Sequence, residues 1–216
     1  MKDNTKVTII GLGNIGQAIA TNLVKNNRAV IVAAREITKA NSLAEKLGNL
    51  VTPMGIRDAI KEAEIIIPAI WFNTLAGFFN QYANELKGKI VIDVSNPIAP
   101  DGKGGFSKII GENESAGEIN AKALPQQVKF AKALGTLGAA SLVDCANQIP
   151  EKAVLFYATD DTNIKGTIEQ LIFDNGFEPV SVGGINQSIR IEVFGDLHEF
   201  GALGKVVTRT EAIAKL

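Results

Sequence analysis

The sequence has very few of the side chains that build disulfides and metal centres. Its 216 residues include one cysteine, Cys145, and one histidine, His198. These counts exclude an intrachain disulfide and any metal site made of histidine and cysteine clusters. Cys145 lies in a mostly apolar stretch, where we interpret it as a half-buried filler and not as a catalytic thiol.

An excess of one charge and long apolar runs are also missing. Lys and Arg total 22 against 23 Asp and Glu, which gives a formal net charge of −1. We therefore expect no nucleic-acid partner, because the sequence lacks the excess of positive charge that would neutralise the phosphates of a nucleic acid. The apolar runs are far shorter than the ~20 residues of a membrane-spanning helix, and no apolar signal region opens the sequence. These absences predict a cytoplasmic protein without membrane contact.

What the sequence does contain is a repeated alternation of short β-branched runs and amphipathic stretches. This alternation predicts β–α units, and hence an α/β protein with a doubly wound, mostly parallel sheet. The expected strands cover residues 6–10, 29–33, 50–52, 64–69, 89–94, 128–131, 153–159 and 178–182, and the clearest helices cover 15–26, 38–47 and 161–175.

A glycine motif follows the first expected strand and opens the first helix. Its G-x-G-x-x-G spacing in that setting predicts a Rossmann-type NAD(P)-binding turn, with backbone N–H groups facing a pyrophosphate. The motif consists of Gly11, Leu12, Gly13, Asn14, Ile15 and Gly16.

The end of the second strand predicts which nucleotide binds there. An NAD site would place an acidic residue at this point, whereas here Ala34 is followed by Arg35. The guanidinium of Arg35 is suited to a 2′-phosphate, and Lys39 adds a second positive charge. Glu36 keeps open the alternative of a solvated charged face. We expect NADP(H) in preference to NAD(H).

These residues resemble the NADPH-dependent reductases of the deazaflavin coenzyme F-420, a family also described as coenzyme-dependent NADP oxidoreductases. The similarity continues through residues 93–98, 128–138, 158–161, 174–180 and 183–185, and so spans nearly the whole chain. The family shares this pattern with the cytosolic oxidoreductase domains of membrane metalloreductases. Two positions depart from it: Ala34 replaces a Ser or Thr, and Gly135 replaces an Asn.

The resemblance implies an N-terminal Rossmann domain, a small C-terminal domain and a homodimer. We place the two domains at residues 1–150 and 151–216, since turn residues cluster at 147–151, and expect the second to complete an acceptor cleft. The segment 97–117 is expected to form a long glycine-rich loop, and 186–216 to be helical with breaks, with His198 on a helix surface.

The reacting half of the cofactor should lie at the carboxyl ends of the fourth, fifth and sixth strands. The residues expected to contact the cofactor there are Ala69, Ile70, Trp71, Ser95, Asn96 and Pro97, and those expected to contact the acceptor are Leu134, Gly135, Thr136 and Leu137. Trp71 is equally compatible with a wall of the cleft and with the core or an interface. The sequence identifies no catalytic acid–base pair.

Three functions are compatible with this pattern. The first is hydride transfer between NADPH and a small-molecule redox acceptor, such as a flavin or deazaflavin. The second is a small-substrate dehydrogenase of the hydroxyacid or imine-reductase kind, which would need a catalytic Lys or Asp on a long C-terminal helical domain. The third is a non-catalytic NADP(H)-sensing protein. The first is favoured because cofactor-to-cofactor transfer needs no acid–base pair from the protein.

Overall fold

The structure, a computed structural model, describes residues 5–216. Short strands and helices alternate along these residues, as the hydrophobic pattern predicts. The strands are β1 (Val7–Ile10), β2 (Val30–Ala33), β3 (Val51–Met54), β4 (Ile65–Pro68), β5 (Ile90–Asp93), β6 (Ile98–Pro100), β7 (Phe106–Lys108), β8 (Lys129–Lys132), β9 (Val154–Ala158) and β10 (Glu178–Gly183). The helices are α1 (Asn14–Lys25), α2 (Ile37–Leu47), α3 (Ile56–Glu62), α4 (Phe72–Gln81), α5 (Ala116–Ala123), α6 (Ala139–Asp144), α7 (Lys165–Asp174), α8 (Ser188–Ile191) and α9 (Arg209–Ile213).

Eight of the strands form one sheet in the order β10-β9-β8-β5-β4-β1-β2-β3. Neighbouring strands run parallel, except that β8 and β9 are antiparallel. The predicted α/β class with a doubly wound, mostly parallel sheet is confirmed. All eight expected strands are present, and their ends differ from the predicted ones by at most two residues.

Helices cover both faces of the sheet, so the alternating side chains of one strand pack into two different hydrophobic cores. Ile9 packs with Ile19 and Leu23 of α1 on one face. Ile10 packs with Ile60 of α3 and Phe79 of α4 on the other. Strands β1, β2, β4 and β9 are buried along their whole length. This double burial explains their unbroken apolar runs.

The C-terminal strands extend the same sheet and share its cores. Tyr157 of β9 joins the first core and Phe156 the second. The boundary at residue 150 remains a prediction, and the chain on its two sides shares one sheet. No helix within residues 5–216 has the length and apolarity to cross a bilayer.

Two expectations about irregular segments are corrected. The segment 97–117 is not a simple loop, because β6 and β7 pair as an antiparallel hairpin. The segment 186–216 is not mainly helical: between α8 and α9 it consists largely of turns. The chain turns here because the backbone of Gly201 packs directly on that of Gly195, so closely that a Cβ on Gly201 would overlap the carbonyl oxygen of Gly195.

Candidate functional site

The glycine turn between β1 and α1 is fixed by contacts that exclude a side chain. Gly11 has φ +95°, and its N–H donates to the carbonyl oxygen of Ala33 at 2.9 Å. A Cβ on Gly11 would lie 2.5 Å from the carbonyl oxygen of Ala69, and one on Gly16 would overlap the carbonyl oxygen of Gly11. The first and third glycines of the motif are therefore required by packing.

The second glycine differs, because space lies in front of it. Gly13 is exposed, and a Cβ built on it meets no atom within 4 Å. It precedes α1, and no side chain caps that helix. The first N–H groups of a helix have no intrahelical partner, and the helix dipole attracts an anion to them. This exposed helix start fits a phosphate group.

The end of β2 lies beside this turn, since Gly11 is bonded to Ala33. Arg35 follows the strand and is exposed, and within residues 5–216 its guanidinium has no ion-pair partner. Lys39 lies 3.4 Å from the carboxylate of Glu36, and both side chains are exposed. The structure thus brings the glycine turn together with the predicted 2′-phosphate residues.

The end of β4 adds an aromatic surface to the same edge. The N–H of Ala69 donates to the carbonyl oxygen of Ile10 at 2.8 Å, which ties this strand end to the glycine turn. Trp71 is 54% exposed, so a core position is excluded. Its ring centroid lies 6.4 Å from that of Phe106, which is 50% exposed on the β6–β7 hairpin.

A buried ion pair joins the ends of β5 and β8. The Nζ of Lys132 lies 3.0 Å from Oδ2 of Asp93, and both side chains are buried. Oδ1 of Asp93 accepts from the N–H of Ser95 at 2.8 Å, and Oδ2 accepts from Nδ2 of Asn120, also at 2.8 Å. Lys132 also donates to the carbonyl oxygen of Ser95. The ion pair therefore fixes the backbone at Ser95.

Asp93, Asn120 and Lys132 are not among the site residues predicted from the sequence. A signal for the ion pair was present, because Asp93 and Lys132 end two apolar strands. The two residues are direct register partners across the parallel pair β5–β8. A comparison of residues at equivalent strand ends would have paired them.

The loops after β5 and β8 are linked through one side chain. Nδ2 of Asn96 donates to the carbonyl oxygen of Gly135 at 2.9 Å, and Oδ1 accepts from the N–H of Val193 at 2.8 Å. Ser95, Pro97 and the four residues 134–137 are buried within the chain. Their contact with a cofactor or acceptor remains a prediction.

Residues 188–201, which we call the strap, contact both loops and the helices that follow them. The carboxylate of Glu192 accepts from Oγ of Ser115 at 2.9 Å and from the N–H groups of Ala116 and Gly117 at 2.9 and 2.8 Å. These bonds cap the N-terminus of α5, where a negative charge is stabilising. The carboxylate of Glu199 does the same for α6: it accepts from the N–H of Gly138 and from Oγ of Ser141, the latter at 2.6 Å.

His198 lies between these two glutamates in the sequence. Its side chain is 1% exposed, so the predicted position on a helix surface is wrong. Its Nδ1 accepts from the N–H of Phe200 at 3.0 Å. This bond assigns the proton to Nε2, which donates to the carbonyl oxygen of Gly135 at 3.2 Å. The pKa of His198 is lowered to about 4, chiefly by burial and also by the charge of Lys132, although the bond to Gly135 opposes these two effects. The imidazole is therefore neutral near pH 7.

Cys145 lies at the end of α6 and packs, partly buried, against the core. Burial raises the pKa of its thiol, so the reactive thiolate is disfavoured. This environment agrees with the interpretation of Cys145 as a filler.

The sheet order, the glycine turn and the crossover helices define a protein of the Rossmann type. More specifically, residues 6–97 match the family described as NADP oxidoreductase, coenzyme F420-dependent. This match covers the glycine turn, Arg35 and the ends of β4 and β5.

Individual relatives extend the comparison over more of the chain. An F420-dependent NADP reductase of Methanocaldococcus jannaschii is 32% identical over 104 residues, which are 44% of this chain and 46% of the relative. The metalloreductase STEAP3 of Rattus norvegicus is 25% identical over 88% of this chain and 36% of its own length. The chain thus spans less than half the length of these two curated relatives.

A solved structure matches nearly the whole fold. The crystal structure of a hypothetical protein, SMa0349 from Sinorhizobium meliloti, has a TM-score of 0.82 at 25% identity and covers 95% of this chain and 96% of its own. The fold of nearly the whole chain, and not only of residues 6–97, therefore resembles one already seen in a crystal.

Proposed function

We propose that the protein is an NADP(H)-dependent oxidoreductase that transfers a hydride between NADPH and a planar redox acceptor of the flavin or deazaflavin kind. The observation that carries this proposal is the pairing of an open, uncapped glycine turn at Gly13 with the exposed guanidinium of Arg35. The family of residues 6–97 and the name of the Methanocaldococcus jannaschii relative support it.

Under this proposal, the cofactor's phosphates bind to the exposed N–H groups and cations of the site. The N–H groups at the start of α1 would hold the pyrophosphate, and Arg35 with Lys39 would hold the 2′-phosphate. Lys39 can turn from Glu36 to a phosphate at little cost, because exposed ion pairs contribute only about 0–1 kcal/mol. When bound, the reduced nicotinamide supplies the hydride.

The aromatic pair Trp71 and Phe106 supports a planar acceptor. Both rings are about half exposed at the carboxyl edge of the sheet, where ligands of open α/β sheets bind. Exposed aromatic rings of this kind offer apolar area and stacking to a flat ring system. The protein's own tasks would be to orient the two rings and to exclude water, since the redox chemistry belongs to the cofactors.

Stopped-flow oxidation of NADPH in the presence of a flavin, a deazaflavin or a quinone tests the proposal. We expect acceptor-dependent oxidation, with a higher KM for the acceptor in Trp71→Ala than in Trp71→Phe. Ile213→Ala is the matched control, because Ile213 is 52% exposed, close to the 54% of Trp71, but lies on α9. No oxidation with any of these acceptors would refute hydride transfer.

The NADP(H)-sensing alternative predicts a different result in the same experiment. Calorimetry would then show tight NADPH binding while no acceptor supports turnover. A partner protein whose affinity changes with the oxidation state of the nucleotide would favour sensing over catalysis.

A homodimer is also part of the proposal. Three aromatic side chains of the C-terminal segment, Phe173, Phe194 and Phe200, are at least half exposed. Other large apolar side chains of that segment are buried within the chain, namely Leu171, Ile172, Phe177, Ile191, Val193 and Leu197. Light scattering at micromolar concentration tests the dimer, and a strictly monomeric mass would exclude it.

A further inference from the structure

The carbonyl oxygen of Gly135 accepts hydrogen bonds from two side chains on distant parts of the chain. Asn96 donates at 2.9 Å from the loop after β5, and His198 donates at 3.2 Å from the strap. We propose that His198 is a positioning residue: through this bond it holds the loop 134–137 in the geometry needed for hydride transfer. This inference rests on the proposed function.

The loop that His198 contacts has little freedom of its own. Leu134 has φ +62°, in the left-handed region that non-glycine residues rarely adopt. A Cβ on Gly135 would lie 2.6 Å from the carbonyl oxygen of Val94, so the loop backbone packs directly on the end of β5. Surrounding contacts must hold such a conformation, because it costs energy in isolation. The bond from His198 is one of those contacts.

The strap holds His198 in place from both sides. Glu192 is bonded to the start of α5, and Glu199 to the start of α6. Between them, the N–H of Val193 donates to Asn96, the other side chain that contacts Gly135. The strap on both sides of His198 is thus anchored to the starts of α5 and α6.

A positioning role makes a specific kinetic prediction. The phosphates would bind at the glycine turn and Arg35, on the other side of β4 from Gly135 in the sheet order. Displacement of the loop should therefore change the rate of hydride transfer more than the affinity for NADPH. Misplacement by about 1 Å can lower a rate about 100-fold.

Two substitutions separate the two ring nitrogens of His198. His198→Gln places an amide N–H near the position of Nε2 and can keep the bond to Gly135. His198→Asn places its amide near Nδ1 and loses that bond, while it can still accept from Phe200. We expect hydride transfer to fall about 10- to 100-fold in His198→Asn and to stay within about threefold of the wild type in His198→Gln, with similar NADPH dissociation constants throughout.

An NMR measurement on the unliganded protein gives an independent readout. The amide of Thr136 belongs to the same peptide group as the Gly135 carbonyl, so its 1H–15N signal should move in His198→Asn and much less in His198→Gln. Asp196→Asn is the matched control, because Asp196 lies on the strap and its exposed side chain pairs with Arg190. We expect this control to change neither the rate nor the Thr136 signal.

The outcomes distinguish this inference from the proposed function. If the wild type does not oxidise NADPH with any acceptor, both fail. If the wild type is active and His198→Asn matches it in rate, His198 is not a positioning residue. Equal rate losses in both His198 variants also refute the proposal, because they would show a general effect of the substitution. If His198→Asn does not fold, Glu199→Ala removes both bonds between the strap and the start of α6 without altering the ring, and an unchanged rate in this variant refutes the proposal.

Discussion

The two halves of the candidate site are built in opposite ways. The glycine turn and the end of β2 form an open surface of backbone N–H groups and exposed cations, made by residues close together in sequence. The ends of β5 and β8 form a buried polar network whose partners lie as far as 97 residues apart. The first half presents exposed groups to solvent, whereas the second half consists of groups that are already hydrogen-bonded to each other. Substitutions should therefore affect binding in the first half and stability or orientation in the second.

The largest effect should follow from Lys132→Met in the buried half. This change leaves the carboxylate of Asp93 buried without its cation, which costs about 3–5 kcal/mol of the free energy of unfolding. Lys39→Met, at the exposed pair with Glu36, should cost less than about 1 kcal/mol. Urea unfolding measures both. Adding Asp93→Asn to Lys132→Met should recover much of the loss, and similar costs for the two single variants would contradict the comparison.

The pH dependence of stability should also originate in the buried half. The pKa of His198 is lowered from 6.5 to about 4 in the folded protein, so between these values the unfolded chain binds the proton and the folded chain does not. Stability from this residue is complete above pH 6.5 and is lost as the pH falls towards 4, by about 3 kcal/mol in total. His198→Gln should lack this component. Parallel stability curves for wild type and variant between pH 7 and 4 would show that the ring does not titrate in this way.

In the open half, Arg35→Ala should weaken NADPH binding selectively. The variant loses a charged contact with the 2′-phosphate, which NADH does not have, at a cost of about 1.5–3 kcal/mol. Calorimetric titration with both nucleotides measures the difference, with little change for NADH. Equal losses for NADPH and NADH would reject the 2′-phosphate role of Arg35.

The smallest expected effects come from alanine substitutions at two glycines of the glycine turn, one of which should change stability and the other binding. Gly16→Ala inserts a methyl group against the Gly11 carbonyl and should lower the free energy of unfolding by about 1–3 kcal/mol. Gly13→Ala meets no atom in the chain, so the fold should survive, while binding of NADPH and NADH falls alike. Thermal unfolding and calorimetry provide the two measurements. Normal NADPH binding by a folded Gly13→Ala would remove this glycine from the phosphate site.

The same contrast explains what the sequence could predict. The strands, the sheet class and the glycine turn follow from local patterns, because burial on both faces and tight turns each select residue types within a short stretch. The Arg35 site needs only the end of one strand. The residues proposed to bind the 2′-phosphate, Arg35 and Lys39, are close together in the sequence.

The buried network required information that local patterns do not contain. The bond from His198 to Gly135 spans 63 residues, and that from Ser115 to Glu192 spans 77. The segment around His198 appeared helical because its apolar spacing suits a helix, whereas close contact between Gly195 and Gly201 folds it into turns. Only the Asp93–Lys132 pair had a sequence signal, through its equivalent strand ends.

Trp71 gives the molecule a built-in optical reporter. It is the single tryptophan of the chain, and its half-exposed indole lies against Phe106 at the edge where the cofactor is proposed to bind. Tryptophan emission overlaps the absorption of reduced nicotinamide, so energy transfer would quench the indole when NADPH binds nearby, and oxidation to NADP+ would restore the emission. With only two tyrosines as background, the intrinsic fluorescence of this protein should follow the binding of NADPH and its oxidation without any label.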